Sequence, residues 1–259
     1  MPPAEPAAEG PRPSPPARMG TVRLALLLGL ALLGIVALLG LGTWQVERRA
    51  WKLALIDRIE SRVSAPALPA PGPAEWPGID AASAEYRHVA LRGRFLPGPD
   101  RLVLAATSRG AGFWVLAPFR TEAGFLVLVN RGFIATDQRD PSARAAPAGP
   151  QTLTGLLRIT EPGGGFLRSN DPSAGRWYSR DVVALAADLG IDRDPGGVAP
   201  YFVDAAAGPD PAALPVGGLT VISFHNNHLV YAVTWFSLAL MLAGASTYLI
   251  REEWRARRR

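Results

Sequence analysis

Residues 24–46, with the sequence LALLLGLALLGIVALLGLGTWQV, decide the architecture of this chain. The only strongly polar residue in the segment is Gln45, and its length matches the roughly 20 residues that a helix needs to cross a bilayer. A cleaved signal peptide has a shorter apolar core, about 7 to 15 residues, and a small-residue cleavage site, whereas this segment ends in Gly-Thr-Trp-Gln. The segment therefore predicts an uncleaved transmembrane helix.

A second apolar segment lies near the other end of the chain, at residues 228–250. From Leu229 onward it is uncharged, and it stops at Arg251. The basic residues that precede the first span and follow the second outnumber those just after the first span, which favours both termini on the cytoplasmic side. We therefore expect a multi-pass protein of the cell inner membrane whose main domain is periplasmic.

The spans divide the rest of the chain into three parts. Residues 1–23 are predicted to be a disordered cytoplasmic tail, because seven of the first 20 residues are proline. Residues 251–259 are predicted to be a basic cytoplasmic tail. Residues 47–227 are long enough to form one domain with its own core.

The region between the spans has the pattern of a β-rich domain. Residues 47–63 first continue the helix with an amphipathic pattern, and Asp181 can cap a short helix over 182–189 that Gly190 ends. Short β-type runs separated by Gly, Pro, Asp and Asn predict strands at 86–95, 101–106, 113–120, 125–130, 152–160, 176–180, 200–204 and 218–224. The predicted fold class is an α+β membrane protein, with two transmembrane helices flanking a mainly antiparallel, barrel-like extramembrane domain that has one or two short helices.

Composition and motifs exclude several functions. The chain has no cysteine, so it cannot form a disulfide, a thiolate zinc site or an iron–sulfur cluster. It has no phosphate-binding glycine loop and no GxSxG motif. The net charge of +5 rests almost entirely on arginine, a weak signal for nucleic acid. We expect no enzymatic activity and no nucleic-acid partner; a membrane-anchored hydrolase is the less favoured alternative.

The entrance to the second span is where the sequence points to chemistry. Of the three histidines, His88 is interpreted as a solvated strand residue, whereas His225 and His228 lie at the mouth of the span. A histidine there can anchor the helix at the interface, carry protons or bind a metal. Tyr231 and Trp235 follow His228 at helical spacing, on the same face of the helix.

The predicted topology brings the first span to the same boundary. Trp44 and Gln45 end its apolar run, and small residues on both spans allow the helices to approach: Gly34, Gly40, Gly42, Ala239, Ala243 and Gly244. A pocket of imidazole, indole, phenol and amide that is half wet and half apolar suits haem, with His228 as an axial ligand. The neighbouring Arg48, Arg49 and Lys52 can meet either haem carboxylates or lipid phosphate.

The chain also resembles a known family in five ordered segments. They are GTWQVERRAWKLALIDRIESRV (42–63), GFWVLAPF (112–119), LVNRGFI (128–134), GFLRSNDPSAGRWYSRD (165–181) and NNHLVYAVTWFSLAL (226–240). Together they look like the surfeit-locus-protein-one family of cytochrome c oxidase assembly factors. The resemblance covers nearly all of residues 24–250 and implies two transmembrane helices, a β-rich domain and no turnover chemistry.

The resemblance also implies a cofactor and partners. The implied role is to bind haem a transiently near the outer membrane face and to deliver it to oxidase subunit I, or to stabilise it there. His228 matches the family histidine implicated in haem contact, while Trp44, Gln45, Tyr231 and Trp235 match family positions of less clear role. His225 departs from the family pattern. The expected partners are subunit I and the lipid bilayer, with haem A synthase as a further candidate. The alternative is a scaffold without haem that holds apo-subunit I.

Overall fold

The computed structural model describes residues 20–165, 167–220 and 226–258, in two compact units. One unit comprises residues 1–54 and 224–259 and the other residues 55–223. The helices are α1 (Thr21–Ser64), α2 (Ala81–Ala84), α3 (Val182–Asp188) and α4 (His228–Arg258). The strands are β1 (Leu68–Pro69), β2 (His88–Phe95), β3 (Arg101–Thr107), β4 (Gly110–Thr121), β5 (Leu126–Ala135), β6 (Gln151–Ile159) and β7 (Val198–Ala205).

The two long helices are both long and apolar enough to cross a membrane. Helix α1 has 44 residues and α4 has 31. Helix α1 continues without a break from the apolar segment through the charged segment 47–63, as the sequence pattern predicts. Two apolar terminal helices with a β domain between them in the chain confirm the predicted fold class. The predicted tails fall partly on residues 1–19 and 259, which lie outside the described residues, and the domain boundaries stay predictions.

The β domain is a closed barrel of five strands. Their order is β2-β6-β7-β5-β4, and β4 pairs back onto β2; β1 and β3 add to β2 and β4 outside this ring. Pairing is antiparallel except at β1–β2 and β5–β7. Closure depends on Gly93, which has φ of +156° and stands opposite Thr121. A Cβ atom there would lie 1.9 Å from the carbonyl oxygen of Arg120, so only glycine allows the two strands to meet.

Alternation along the strands fills the barrel interior. Val89, Leu91 and Phe95 of β2 point inward with Phe119 of β4, and the rings of Phe95 and Phe119 pack edge to face at 5.0 Å. A second cluster forms on the outer face, where α3 packs over Phe202, Leu116, Leu128, Val103 and Trp177. Helix α3 begins as predicted, because the carboxylate of Asp181 accepts from the amide of Ala184 at 3.1 Å.

The structure departs from the predicted strands at 176–180. Trp177 is buried and forms one parallel bridge to Val103. The next two amides, of Tyr178 and Ser179, donate to the side chain of Asn170 at 2.8 and 3.2 Å, so no ladder can continue. At the predicted strand 218–224, residues 218–220 are not in a strand, and 221–224 lie outside the described residues.

His88 is less solvated than its position on a polar strand face predicts. Its side chain is half-buried, and Nδ1 lies 2.8 Å from the carbonyl oxygen of Ala65, just after the end of α1. A carbonyl group just after a helix end has no hydrogen-bond partner within the helix. The imidazole of His88 supplies that partner for the carbonyl oxygen of Ala65. Its role is therefore structural.

Candidate functional site

Side chains of α1 and α4 meet at several levels, with the two helices running in opposite directions. A Cβ atom added to Gly42 would stand 2.6 Å from the ring of Phe236, and one added to Gly34 would stand 3.1 Å from Leu242. Large side chains of α4 therefore fill the space that two glycines leave on α1. Ala232 and Ala239 of α4 are buried.

Only some of the predicted small residues take part in this contact. Gly40 and Gly244 have no atom within 4 Å of an added Cβ, whereas Gly42 has the ring of Phe236. Helical rotation separates the two glycines of α1: two residues correspond to about 200° around the axis, so Gly40 lies on the opposite side from Gly42.

This difference provides a matched pair of substitutions. We expect Gly42→Leu to destabilise the full-length protein in detergent by about 1–3 kcal/mol, because the new side chain must displace Phe236. Gly40→Leu should leave the unfolding temperature unchanged or slightly raised, since leucine favours helix and meets open space. Thermal unfolding followed by tryptophan fluorescence measures both. Equal effects of the two substitutions would contradict this packing.

A buried polar contact joins the two helices, between His228 and Gln45. Gln45 is 9% exposed, and its Oε1 lies 2.7 Å from Nδ1 of the half-buried His228. A buried amide on an apolar helix needs such a partner, because an unpaired polar group in an apolar setting costs free energy. Since a carbonyl oxygen only accepts, this contact requires a proton on Nδ1, and in that tautomer Nε2 is the nitrogen that can bind a metal. An outer partner of this kind orients the histidine in many metal sites.

The aromatic residues predicted for the site have different environments. Trp44 is 53% exposed and Tyr231 is 52% exposed. Trp235 is half-buried, and its indole Nε1 is buried without a hydrogen-bond partner among the described residues. The structure thus brings Gln45 to His228, leaves Trp44 and Tyr231 half-exposed, and gives Trp235 an unsatisfied donor.

The residues before α4 add a second unsatisfied group. Asn226 is half-buried, and its Oδ1 has no partner in the described part of the chain. The carbonyl of Asn227 accepts from the amide of Tyr231 at 3.2 Å, in the first turn of α4. His225 lies outside the described residues.

The basic residues after the first apolar segment lie along α1. The guanidinium of Arg48 stands 4.0 Å from the ring centre of Trp51, a cation–π contact, and Trp51 is half-exposed. Arg49 and Lys52 are half-buried. This part of α1 thus combines positive charge with an exposed indole.

The barrel domain contains a buried ion cluster that the sequence patterns did not reveal. Asp204 is 4% exposed, and its carboxylate accepts from Arg158 at 2.9 Å and from Arg180 at 3.3 Å. Asn130 at 2.7 Å and Thr220 at 2.9 Å complete its shell. One available signal was a single charged residue within a strand, as Asp204 is in β7 and Arg158 in β6.

Two glutamates balance the arginines of this cluster. Arg158 Nε donates to Glu85 at 2.7 Å, and Arg180 Nε donates to Glu161 at 3.0 Å. Burial raises the pKa of Glu161, but the hydrogen bonds and the positive charge of Arg180 lower it by more. The net pKa of Glu161 is therefore below its usual range. Because its donors and acceptors are matched within the domain, the cluster is a structural element of the barrel rather than a ligand site.

Comparisons with known proteins place these features in a family. The model of the SURF1 family matches residues 32–240. Surfeit locus protein 1 of Rattus norvegicus is 34% identical over 228 residues, covering 81% of this chain and 70% of the rat protein. The Homo sapiens protein of the same name is 35% identical over 233 residues, covering 83% and 73%. A SURF1-like protein of Monosiga brevicollis is 34% identical over 239 residues, covering 86% and 87%.

The family match covers most of α1, the first part of α4 and the whole barrel between them in the chain. It includes Gln45 and His228, the two residues that form the buried polar contact. This chain belongs to the SURF1 family, a family of cytochrome oxidase assembly factors.

Proposed function

We propose that this protein binds haem a on the α1–α4 pair and delivers it to subunit I of cytochrome c oxidase, or stabilises it there. The observation that carries the proposal is the 2.7 Å contact between His228 Nδ1 and Gln45 Oε1. It favours the tautomer in which Nδ1 carries the proton and Nε2 holds a lone pair, the form of imidazole that binds haem iron.

The residues around His228 fit such a ligand. Trp235 Nε1 and Asn226 Oδ1 are a buried donor and a buried acceptor that no described residue satisfies, so a ligand with polar substituents gains from pairing with them. The half-exposed Trp44 and Tyr231 offer flat apolar surfaces next to this contact in the chain. Haem supplies an iron centre that takes axial ligands.

The chain's own residues have distinct roles in this proposal. His228 would hold the ligand through Nε2, and Gln45 would keep the imidazole oriented by accepting its other proton. Arg48, Arg49 and Lys52 supply positive charge for its carboxylates, or alternatively for lipid phosphate. Transfer of the ligand to a partner would require that binding by His228 be reversible.

A second candidate function is a scaffold without haem that holds apo-subunit I. This function is favoured by three aromatic side chains that are each about half exposed, those of Trp44, Trp51 and Tyr231. Aromatic side chains of this kind are typical anchors of protein interfaces.

In either case we propose that the protein is a non-enzymatic inner-membrane protein with cytoplasmic termini and a periplasmic barrel, and that its partners are subunit I and haem A synthase.

The test is the visible spectrum of the full-length protein, purified in detergent from cells that also make haem a. We expect a Soret band of bound haem and, in a strain that lacks this gene, an oxidase deficient in a-type haem. A protein without a Soret band, in a strain whose oxidase still fails to assemble, would favour the scaffold. Normal oxidase in the deletion strain would contradict both functions.

A further inference from the structure

The inner face of the barrel carries an arginine at one end. Val127 and Val129 of β5 belong to the inner cluster of the barrel, and Arg131 is the next residue on that face of the strand. Arg131 is half-buried, and its guanidinium lies 5.4 Å from the ring centre of Phe95, another residue of the inner cluster. A positive charge therefore stands where the apolar core of the barrel ends.

The guanidinium of Arg131 has neutral hydrogen-bond partners in the described part of the chain. Nη1 donates to the carbonyl oxygen of Arg144 at 2.6 Å, and Nη2 donates to the carbonyl oxygen of Ala145 at 3.0 Å. These bonds hold the loop after β5 against the barrel, which is a structural role for Arg131. They do not neutralise its charge, because a carbonyl group has none.

The charged neighbours of Arg131 cancel each other. Arg144 is 6% exposed, and its Nη1 donates to the two carboxylate oxygens of Asp100 at 2.6 and 2.5 Å. Burial lowers the pKa of Arg131, while Asp100 raises it and Arg144 lowers it. Asp140 is exposed and accepts from the amide of Ser142. One positive charge thus remains without a partner, although charges away from solvent are usually paired.

Arg131 and Arg144 line a cavity of about 560 Å³ at this end of the barrel. Its inner wall is apolar, since it includes Phe95 and Ala117 of the inner cluster. The loops after β2 and β5 add four prolines to the lining, Pro97, Pro99, Pro141 and Pro147. Proline has a fixed φ, so these loops lose little freedom when a ligand binds. Ligand pockets of this size occur in the mouths of β-barrels.

The same cavity has a lining residue with an unused donor. Nε of Arg144 is buried, and no described residue accepts its proton. Its Nη2 donates to the carbonyl oxygen of Arg139 at 3.3 Å, and its Nη1 to Asp100. Together with the charge of Arg131, the lining has more donors and more positive charge than acceptors. This imbalance is complementary to an anion and disfavours a cation.

We propose that this cavity binds a small organic anion with one carboxylate and an apolar body. The carboxylate pairs with the guanidinium of Arg131, and the apolar body lies against Phe95, Ala117 and the prolines. A single carboxylate balances one positive charge, whereas a phosphate dianion would replace it with a negative charge. The site consists of barrel residues alone, so it is independent of His228 and of haem.

The test is calorimetric titration of naphthylacetate into the full-length protein in zwitterionic nanodiscs, with empty nanodiscs as the blank. Naphthylethanol and naphthylethylamine carry the same apolar body without the carboxylate. We expect saturable binding of the acid that weakens with added salt, and binding of the alcohol and the amine that is weaker by roughly tenfold or more. Absence of saturable binding of the acid, or equal binding of the alcohol, would overturn the proposal.

Substitutions locate the binding at Arg131. Arg131→Gln should weaken binding of naphthylacetate by roughly tenfold or more, because the charge is lost. Arg131→Lys keeps the charge without the planar fork, so its affinity should lie between those of the wild type and Arg131→Gln. Arg193→Gln is the matched control, since this side chain is 95% exposed and outside the cavity, and it should leave binding unchanged. Wild-type affinity in Arg131→Gln would refute the site.

Thermal unfolding separates loss of the site from loss of the fold, because Arg131→Gln also removes the bonds to the carbonyl oxygens of Arg144 and Ala145. Naphthylacetate should raise the unfolding temperature of the wild type and of Arg193→Gln, but not that of Arg131→Gln. An equal rise in all three proteins would contradict the proposal. If Arg131→Gln does not fold, the comparison of the acid with the alcohol on the wild type decides.

Discussion

His228→Ala should abolish the Soret band of the purified protein and lower the a-type haem content of the oxidase in the cells that produce it. The substitution removes the imidazole whose Nε2 is oriented by Gln45. It also leaves the buried amide of Gln45 without its partner, which costs about 1–3 kcal/mol. That is less than the free energy of unfolding of a typical domain. The protein should therefore still be made and inserted, and its loss of haem should reflect ligation.

Gln45 variants separate ligation from orientation. Gln45→Leu keeps His228 but removes the acceptor for Nδ1, so haem affinity should fall by about 10- to 100-fold without vanishing, as it does when outer partners of metal ligands are removed. Gln45→Glu retains an acceptor and should bind haem better than Gln45→Leu. Asn227→Ala is the control, because this exposed side chain neighbours His228 and only its backbone carbonyl has a helical partner. A full Soret band in His228→Ala would refute axial ligation by this residue.

Asp204→Ala should produce the largest loss of stability in the barrel domain, about 3–5 kcal/mol. Arg158 and Arg180 both donate to this carboxylate, and it is 4% exposed. Removing it leaves two guanidinium groups close together without the buried carboxylate that they share, and each keeps only its own glutamate partner. Urea unfolding of the full-length protein in detergent, followed by tryptophan fluorescence, measures the change.

The matched control for this substitution is Asp192→Ala. Asp192 is 46% exposed and lies 3.9 Å from Arg193, which is 95% exposed, so the pair is solvated. Its loss should change the free energy of unfolding by less than about 0.5 kcal/mol. If Asp204→Ala were as mild, the cluster would not stabilise the barrel.

Much of the fold follows from local sequence patterns, because most strands are short β-type runs bounded by turn residues. Six of the eight predicted strands overlap observed ones. The one at 176–180 fails for a reason outside the segment, because the side chain of Asn170 accepts from the amides that a ladder would need. The parallel pairing of β5 with β7 joins residues more than 70 positions apart in the chain, as in Asn130 opposite Asp204. No local pattern specifies such a partner.

The candidate site was predicted in part for the same physical reasons. An apolar span ending in Gln45 and a second beginning at His228 predict two polar groups at one level, and the structure brings these two into contact. Whether the indole N–H of Trp235 finds a hydrogen-bond partner depends on how the two helices are rotated about their axes, which the sequence pattern does not specify. The ion cluster of Asp204 needed the full topology, since its arginines come from β6 and from the loop before α3. The proposed haem role of these residues stays a prediction.

Strand β7 lies between β5 and β6, so the barrel cannot close until Val198–Ala205 has left the ribosome. Until then β5 and β6 each expose a row of unpaired backbone groups, the kind of edge that recruits other chains. Nascent chains of this protein should therefore depend on chaperones longest during synthesis of the stretch between β6 and β7. A premature stop before Val198 would yield an aggregation-prone fragment rather than a smaller working domain.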